Sequence, residues 1–574
     1  MTKRLVAAAL AALIVGAAAP AEPERHALAI TMPDTVNLAA DVILPVARPA
    51  PAILVMTPYG RRSRLGKGAI GAFTAAGFAL VFVDTRGTGA SQGHIDMVFS
   101  PEERGDIAAI LSWIAAQPWS NKRVVTTGVS YDANLAALAV ASGSPVVVGA
   151  VPRFIDFDTY RDLAVPGGVR NEMLLRQWGA LTGALNSGGP CLIDASRCAA
   201  MENLAPLDGD TDFSLLRAAL HDHQKDWNAT VGTARYDFED DLVPSGRPLR
   251  DGFLSSQVAR LRASPVPVQL WGSWFDAATA DSALAWYAAA PSAPISLYLG
   301  AWTHGGGQRV DPFLPSPAED EPGAPVPPQV FLDFAQRAAS GTGTPARGIT
   351  YYTGGAAVWR KTEAWPPAGI VPVRRYLGAQ NTLRDRADGV NGTDIYRTDY
   401  DASTGTTNRW TTQMGGGPVA YGDRAAADRH LLTYTSAPLD HAIEVTGAAT
   451  VGLRLASTHP DGAVFAYLEA VSPEGKVIYL SEGDLRLALR GGADPFSPSF
   501  LRADTSLLTP DRAIEIAIRL HNVSAVVPKG YRLRLALAGA DRDTFGRYPP
   551  DGDPTWTLFR ATSYIDIPQA AWTR

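Results

Sequence analysis

The sequence predicts an α/β domain that is interrupted by a helical insertion and followed by an all-β domain. Runs of Val, Ile and Leu alternate with helical patterns over residues 26–157 and 264–339, as expected for a sheet covered by helices. Residues 158–263 carry helical periodicity without a strand-like run. From about residue 348, short alternating strands are separated by turn residues, which is typical of a β-sandwich or jelly roll.

Within the α/β region, four apolar runs are predicted to be buried strands, at residues 52–56, 123–127, 266–271 and 295–299. Between the first two, Ile107, Ile110, Leu111 and Ile114 have the i, i+3, i+4, i+7 spacing of a helix with one face on a sheet. The Pro-rich stretch at 312–328 is interpreted as a loop inside this domain rather than a linker between domains.

Ser130 lies between the strand at 123–127 and an Ala/Leu-rich stretch that predicts a helix, within the sequence Gly-Val-Ser-Tyr-Asp-Ala. A strand, a tight turn at a serine and then a helix form the nucleophile elbow of an α/β-hydrolase. Gly128 permits the strained turn, and Ala133 replaces the glycine that usually ends the pattern, where helix and strand pack closely. The sequence therefore indicates Ser130 as a candidate nucleophile.

Partners for this serine follow two later strands. Asp276 comes after the strand at 266–271, and His304 comes after the strand at 295–299. The order serine, acid, histidine is the one this fold uses. Both residues are expected at the carboxyl ends of their strands, where open α/β sheets bind ligands. A loop histidine that caps a turn is the alternative interpretation of His304.

The chain resembles the CocE/NonD hydrolases, which include cocaine esterase, glutaryl and cephalosporin acylases, α-amino acid ester hydrolases and X-Pro dipeptidyl-peptidases. The resemblance runs in family order from about residue 30 to the C-terminus. It rests on these segments: Thr57-Pro58-Tyr59, the Gly-rich stretch 84–93, Trp113 with 117–121, Gly128-Val129-Ser130-Tyr131, Trp274-Phe275-Asp276, Trp302-Thr303-His304-Gly305 and 529–534.

The resemblance implies roles for the matching residues. Ser130 is expected to be the nucleophile, His304 the general base, and Asp276 the residue that orients the imidazole. The oxyanion hole is expected to combine the backbone N–H of Tyr131 with the hydroxyl of Tyr59. An ordinary half-buried aromatic at a strand end is the alternative for Tyr59. The family also implies a C-terminal jelly roll packed against the catalytic domain.

The Gly-rich segment 84–93 raises the alternative of a phosphate-binding loop. Its spacing does not match the G-x-x-x-x-G-K-[ST] pattern, and no Lys-Ser or Lys-Thr pair follows. We instead expect sharp loop geometry beside the active site, with Asp84 and Arg86 as a structural ion pair.

The first 21 residues are predicted to be a signal peptide. Lys3 and Arg4 precede an apolar stretch at 5–19, and residues 19–21 read Ala-Pro-Ala, as at a cleavage site. A membrane anchor is the alternative, but the stretch is shorter than the roughly 20 residues that a span requires. We expect a secreted or periplasmic protein that begins at Glu22 and has no membrane attachment after cleavage.

Composition fits a large globular enzyme. A chain of 574 residues is too long for one core and suggests several domains. With a net charge of −6 and no basic cluster, a nucleic-acid partner is not expected. In an exported protein, Cys191 and Cys198, the two cysteines of the chain, predict one disulfide. Free thiols are the alternative, and a metal site is disfavoured because no other ligands accompany them.

The predicted domains are a signal peptide at 1–21, a catalytic domain at 22–157 and 264–339, a helical cap at 158–263 and a jelly roll at 340–574. The expected substrate is a small ester or amide, and neither a cofactor nor a metal is expected. The sequence leaves open whether the protein forms a homo-oligomer. Four aromatic residues are candidates for an apolar substrate pocket, with core packing as an equal alternative: Trp178, Trp274, Phe275 and Trp302.

Specificity stays open at this stage. Residues 277–280 after Asp276 are Ala-Ala-Thr-Ala, and the absence of an acidic pair disfavours recognition of a substrate α-amino group. The acidic cap residues 239–241 keep that recognition open. An X-Pro dipeptidyl-peptidase is the closest alternative function. A carbohydrate-binding protein on a degenerate hydrolase scaffold is a more distant one, because the serine, histidine, acid and Tyr59 are all present.

Overall fold

The computed structural model describes residues 23–63, 67–193, 195–200, 204–227, 236–314, 328–343, 345–387 and 392–573. The predicted signal peptide and most of the Pro-rich stretch at 312–328 lie outside the described residues.

The first sheet has ten strands in the order β1-β2-β4-β3-β5-β6-β7-β8-β9-β10. The strands from β4 across to β9 pair in parallel, while β1, β2 and β10 add antiparallel edges. The bounds are β1 Glu24–Thr31, β2 Asn37–Leu44, β3 Ala50–Thr57, β4 Ala79–Asp84, β5 Ser120–Val129, β6 Val147–Arg153, β7 Val268–Ser273, β8 Ile295–Gly300, β9 Gly348–Thr353 and β10 Val358–Thr362.

Helices cover this sheet and form most of the insertion. The stripe of Ile107, Ile110, Leu111 and Ile114 is buried on one helix, α2, as predicted. The α-helices of the described residues are α1 Lys67–Ala75, α2 Pro101–Ala116, α3 Tyr131–Ala141, α4 Glu172–Asn186, α5 Gly189–Ile193, α6 Ser214–Asp222, α7 Val258–Ala263, α8 Thr279–Ala289 and α9 Pro328–Ser340.

The insertion at 158–263 contains α4 to α7 and several short 3₁₀ turns, and its described part holds no strand of the two sheets. The cysteine pair lies at α5 and the following 3₁₀ turn. Cys191 and Cys198 form a disulfide, with an S–S distance of 1.97 Å, so the predicted bridge is confirmed. Both cysteines are buried in a small apolar cluster that includes Leu216 and Leu220 of α6.

The second sheet belongs to the C-terminal region and contains thirteen strands. Buried positions alternate with half-buried ones in β14 and β22, whereas β17 is buried along its whole length. The bounds are β11 Val371–Gly378, β12 Thr382–Arg384, β13 Thr393–Arg397, β14 Leu432–Ser436, β15 Ile443–Gly447, β16 Thr450–Ser457, β17 Ala463–Val471, β18 Val477–Arg486, β19 Ile514–Arg519, β20 Val523–Val527, β21 Arg532–Ala538, β22 Thr555–Phe559 and β23 Tyr564–Ala571.

The observed order of an α/β region, a helical insertion and an all-β region agrees with the predicted fold class. The end of the first sheet differs from the predicted domain boundary at residue 339. Strands β9 and β10 lie beyond residue 339 and hydrogen-bond to β8 and to each other, so the first sheet continues past the predicted end of the catalytic domain. The change of pattern at about residue 348 does not distinguish these two strands from those of the second sheet.

The two regions share a continuous apolar core and a buried polar contact. Asp281 of α8 accepts hydrogen bonds from His521 Nδ1 at 3.0 Å and from Asn522 Nδ2 at 2.6 Å, both in the loop before β20. Burial alone would raise the pKa of Asp281, but the His521 contact and nearby arginines outweigh it and lower that pKa. The catalytic and C-terminal regions are therefore joined beside the loop that carries Asp276.

In the described part of the chain, no helix combines the length and the apolar character that crossing a membrane would require.

Candidate active site

Ser130 occupies the tight turn between β5 and α3. Its φ of 63° and ψ of −127° place a non-glycine residue in a sparsely populated, strained conformation. The Ser130 N–H donates to the carbonyl of Arg153 on β6 at 3.0 Å, which holds the turn against the sheet. A Cβ at Gly128 would lie 2.3 Å from the backbone of Asp132, so the strand and helix pack too closely for any other residue there.

Asp276 and His304 form a hydrogen-bonded pair at the carboxyl ends of β7 and β8. His304 Nδ1 lies 2.8 Å from Asp276 Oδ2. Because an ionised carboxylate only accepts, Nδ1 carries the proton and Nε2 is left as the imidazole acceptor. Asp276 is fully buried, and the His304 side chain is 9% exposed. The structure therefore brings these two predicted residues together in the expected order.

Ser130 and His304 lie on adjacent loops. A Cβ built on Gly305 would lie 3.8 Å from Val129 Cγ1, so the residues next to the serine and the histidine nearly touch. The hydrogen bonds among the described residues do not include one between Ser130 Oγ and His304. Catalytic hydrogen bonds of unliganded sites are often long and tighten only when substrate binds.

Ser130 opens on a cavity between the sheet and the insertion. The cavity encloses about 900 Å³ of empty space, counting the part that is open to solvent. Tyr59, Tyr131 and Trp178 line it beside the serine. The other walls are mostly apolar and come from the insertion and from the loop before α2; they include Phe99, Leu163, Leu174, Leu175 and Phe253.

Tyr59 follows β3 and faces Tyr131 edge-on, with ring centroids 6.4 Å apart. Trp178 Nε1 donates to the Tyr59 hydroxyl oxygen at 2.9 Å. Because an indole N–H only donates, this contact uses a lone pair of the phenol and turns the phenol proton toward another acceptor. The hydroxyl is thus fixed in place by the insertion and lines the same cavity as Ser130.

Three of the four aromatic candidates for the pocket have other positions. Trp274 is buried, donates from Nε1 to the Tyr352 carbonyl at 2.9 Å and stacks on Trp365. Phe275 is buried near Tyr479 of the C-terminal region, 6.2 Å between ring centroids. Trp302 is buried against Trp271 and Trp359. These three rings do not line the described cavity; they pack the core, the alternative given for each.

The expected ion pair between Asp84 and Arg86 is not formed. Asp84 is fully buried and pairs with Arg61, Nη1 to Oδ2 at 2.8 Å. Arg86 instead pairs with Asp106 of α2 at 2.6 Å and with Asp34 at 2.7 Å. Asp84 is the last residue of β4 and Arg86 lies in the turn that follows, so strand geometry does not align the two side chains, and each pairs with a different element.

The acidic residues 239–241 of the insertion also lie away from the cavity. Glu239 pairs with Arg161 at 2.5 Å. Asp240 accepts from the backbone N–H of Arg502 at 3.0 Å, and Asp241 pairs with the Arg502 guanidinium. Asp240 and Asp241 thus join the insertion to the C-terminal region, while Glu239 pairs within the insertion.

Comparison with known proteins decides the family. The family model described as X-Pro dipeptidyl-peptidase (S15 family) matches residues 34–306, and the one described as the X-Pro dipeptidyl-peptidase C-terminal non-catalytic domain matches residues 337–567. A protein provisionally named serine esterase from Mycobacterium bovis is 34% identical, over 94% of this chain and 94% of that protein. The chain belongs to the CocE/NonD family of serine hydrolases.

Two further relatives extend this result. Cocaine esterase from a Rhodococcus species is 25% identical, over 90% of this chain and 91% of its own. A CocE/NonD family hydrolase from Staphylococcus aureus has the same fold, with a TM-score of 0.69 at 15% identity, over 95% of this chain and 93% of that chain. The chain is therefore a hydrolase with the fold of the family along nearly its whole length.

Three polar residues in or beside the candidate site were not predicted from the sequence. Asp156 lines the cavity and accepts hydrogen bonds from Asn134 Nδ2 at 3.1 Å and from Thr159 Oγ1 at 2.6 Å; burial raises the pKa of Asp156. Glu103 lies behind Tyr131, and Gln413 of the C-terminal region contacts Asp276. None of the three stands in a motif that sequence reasoning uses.

Glu103 is a buried carboxyl group beneath the cavity wall. The Tyr131 hydroxyl donates to Glu103 Oε2 at 2.9 Å, and Glu103 closes the capping box of α2 with Ser100. Burial raises the pKa of Glu103 from 4.5 to about 7, and nearby Asp106 adds to this, whereas the Tyr131 contact opposes it.

Among the described residues, no group of three or more His, Cys, Asp or Glu side chains is arranged to hold a metal ion.

The Glu103→Gln variant is expected to be more stable than wild type at alkaline pH. Between pH 4.5 and about 7 the native state keeps a proton on Glu103 that the unfolded chain has lost, so wild-type stability falls as the pH rises. The amide has no such cost. Urea denaturation should give equal stability at pH 4.5 and a gain of up to about 3 kcal/mol at pH 8.

Glu102→Gln is the matched control for this effect. The neighbouring Glu102 pairs with Arg247 at 2.8 Å, and that contact lowers the pKa of Glu102. Its amide variant should therefore lose stability at neutral pH instead of gaining it. A Glu103→Gln protein no more stable than wild type at pH 8 would show that Glu103 titrates as an ordinary carboxyl group.

Proposed function

We propose that this protein is an exported serine hydrolase that cleaves an ester or amide bond next to a bulky apolar group, through an acyl-enzyme intermediate on Ser130. The observation that carries this proposal is the strained Ser130 turn, which opens on an apolar cavity beside the buried Asp276–His304 pair. The established hydrolase family supports the same chemistry.

In the proposed first step, Ser130 Oγ attacks the substrate carbonyl carbon while His304 Nε2 takes the serine proton. Asp276 holds the Nδ1–H tautomer and stabilises the imidazolium that forms. The carbon–oxygen or carbon–nitrogen bond of the substrate then breaks, and the imidazolium gives its proton to the leaving group. In the second step, His304 takes a proton from water as the water attacks the acyl-enzyme, and then gives that proton to Ser130 Oγ as the bond to the acyl group breaks and the acid leaves.

The proposed oxyanion hole has one donor from the chain turn and one from a side chain. The Tyr131 N–H is the first of α3, where the helix dipole also favours negative charge. The Tyr59 hydroxyl, whose oxygen is already occupied by Trp178, supplies the second donor. Both groups border the cavity next to Ser130, where the carbonyl oxygen of a bound substrate would become charged.

The lining of the cavity supports an apolar acyl or alcohol group as its occupant. Its walls are aromatic and aliphatic, and Asp156, Thr159 and Gln413 are the polar side chains near the serine and histidine. An X-Pro dipeptidyl-peptidase is the second candidate, favoured by the description of the family models that match the chain. That activity must bind a free substrate amino group, for which Asp156 is the one acidic residue in the described lining.

A substrate panel tests the proposal. Purified protein is assayed against aryl and alkyl esters of small and bulky acids, side-chain amides of β-lactams and X-Pro arylamides, after titration of the active serine with a fluorophosphonate. We expect stoichiometric labelling of Ser130 and the highest kcat/KM for a bulky apolar ester. Preference for X-Pro arylamides by a large factor would establish the second candidate, and absence of labelling would reject the serine mechanism.

Two observations support export. The first 21 residues have the pattern of a signal peptide, and the chain contains a disulfide, which is typical of oxidising compartments. Mass spectrometry of protein from the periplasm or medium should give a mature chain that begins at Glu22. Intact residues 1–21 on a protein retained in the cytoplasm would reject this part of the proposal.

The Tyr59→Phe variant is expected to lower kcat by about 10²–10³-fold with little change in KM. Phenylalanine keeps the ring beside Tyr131 but removes a donor that acts mainly in the transition state. Labelling by fluorophosphonate should slow as well, because the phosphoryl oxygen uses the same hole. Steady-state kinetics and a thermal melt check the result.

Tyr298→Phe serves as the control for Tyr59→Phe, since Tyr298 packs on Trp271 away from the described cavity. Its kinetics should equal those of wild type. Normal turnover by Tyr59→Phe would remove this hydroxyl from the oxyanion hole and leave the Tyr131 N–H as the assigned donor.

A further inference from the structure

A segment of the C-terminal region, residues 404–417, reaches into the catalytic centre. Gln413 Nε2 donates to Asp276 Oδ1 at 2.5 Å, while the other carboxylate oxygen contacts His304. The backbone N–H of His304 donates to Thr412 Oγ1 at 2.9 Å. Two consecutive side chains of this segment thus hold the acid and the histidine, although the matching family model is described as non-catalytic.

The same segment fixes the turn that follows Asp276. Ala277 has a φ of 39°, a conformation that is strained for any residue with a Cβ. Its N–H donates to the Arg409 carbonyl at 2.7 Å, and Arg409 Nε donates back to the Ala277 carbonyl at 2.8 Å. Arg409 is fully buried. This reciprocal pairing compensates the strained backbone and sets the direction in which Asp276 points.

Hydrogen bonds within the segment and to neighbouring parts of the C-terminal region hold it in place. Asn408 Nδ2 donates to the Gly405 carbonyl at 2.9 Å and to Thr544 Oγ1 at 2.8 Å. Asn408 Oδ1 accepts from the N–H of Trp410 at 2.9 Å. Trp410 Nε1 in turn donates to Glu482 Oε1 of β18 at 2.5 Å. Gln413 is therefore presented to Asp276 by a packed scaffold of the second domain and not by a free loop.

We infer that Gln413 is a positioning residue for Asp276, and that the C-terminal domain thereby completes the catalytic centre. This inference rests on the proposed triad. A carboxylate can rotate about its last side-chain bond, and donation to Oδ1 removes that freedom, so that Oδ2 stays on the His304 Nδ1 proton. Misplacement of a catalytic group by about 1 Å can cost on the order of 100-fold in rate.

The first test removes the donor. Gln413→Met keeps the length of the side chain but has no N–H to give. We expect kcat to fall by about 10–100-fold while KM and the thermal midpoint stay at wild-type values. Gln413 also lines the cavity, so a role in binding substrate would instead raise KM at constant kcat. The split between the two constants separates positioning from substrate contact.

Gln329→Met is the matched control. Gln329 Nε2 also donates to an aspartate, Asp333 Oδ1 at 2.7 Å, but on the exposed face of α9. The same substitution there should leave both kinetic constants unchanged. Equal kcat values for Gln413→Met and wild type would overturn the inference.

The second test uses Gln413→Glu and measures how its activity depends on pH. A merely structural role of Gln413 would not make activity depend on pH in a new way. The introduced carboxyl would face Asp276 at about the same distance, and two carboxyl groups so close share one proton with a strongly raised pKa. While that proton is present it donates to Asp276 in place of the amide. When it leaves, the two charges repel and Asp276 is displaced.

The expected signature is an alkaline fall in kcat/KM for Gln413→Glu that is absent from wild type and from Gln413→Met. An unchanged pH profile would overturn the inference. Fluorophosphonate labelling distinguishes a failure of the proposed function from a failure of the positioning role alone. If wild type does not label at Ser130, the proposed function fails; if wild type labels and both Gln413 variants label at its rate, only the positioning role fails.

Discussion

Ser130→Ala is expected to lower kcat by on the order of 10⁶-fold and to abolish covalent labelling by fluorophosphonates. In the proposed mechanism the hydroxyl oxygen forms the acyl-enzyme, and neither alanine nor a neighbouring side chain replaces it. The fold should survive, because the turn is held by the Ser130 N–H contact to Arg153 and by the packing of α3, which do not use the hydroxyl. Steady-state kinetics, intact-mass labelling and circular dichroism check these points.

Ser112→Ala is the control for the nucleophile assignment. Ser112 is exposed on α2 and donates to the Ala108 carbonyl at 2.9 Å, so its loss should change neither labelling nor turnover. Residual activity of Ser130→Ala near the wild-type rate would show that another group is the nucleophile. Labelling at a second serine in the variant would identify that group.

The residues that could be predicted are those defined by local sequence. A strand, a strained turn and a helix within 20 residues specify the position of Ser130, and the ends of β7 and β8 specify Asp276 and His304. Parallel strands bring such ends to one edge of the sheet, so three distant motifs give one site without knowledge of tertiary contacts. The disulfide was predictable because the chain has two cysteines.

The walls of the cavity and the support of the acid were not predictable in this way. Trp274 and Phe275 adjoin Asp276 in sequence, but neighbouring side chains point in different directions, and these two pack toward the core and the C-terminal region. Gln413 is 137 positions from Asp276 and stands in no motif. Its role follows from domain packing, which single-sequence patterns do not encode.

Asp276→Asn is expected to lower kcat by about 10⁴-fold, with the fold retained. In wild type, one carboxylate oxygen accepts from His304 Nδ1 and the other from Gln413 Nε2. The introduced amide has one oxygen and one NH₂ group for these two donors. If its oxygen serves Gln413, its NH₂ faces His304 and forces the proton onto Nε2, so the histidine cannot take the serine proton. Kinetics at saturating substrate measure the loss.

The double variant Asp276→Asn/Gln413→Glu distinguishes the wrong tautomer of His304 from a general loss of negative charge as the cause of the low rate. The carboxylate introduced at 413 accepts from the new NH₂ group at 276, which turns the amide oxygen back toward the His304 Nδ1 proton. The correct tautomer is restored, with the negative charge one side chain further away. We expect kcat about 10–100-fold above that of Asp276→Asn, although Gln413→Glu alone is harmful at high pH. A double variant no faster than Asp276→Asn would mean that charge beside the imidazole, and not its tautomer, limits the rate. It would also mean that Gln413 does not select the orientation of the group at 276.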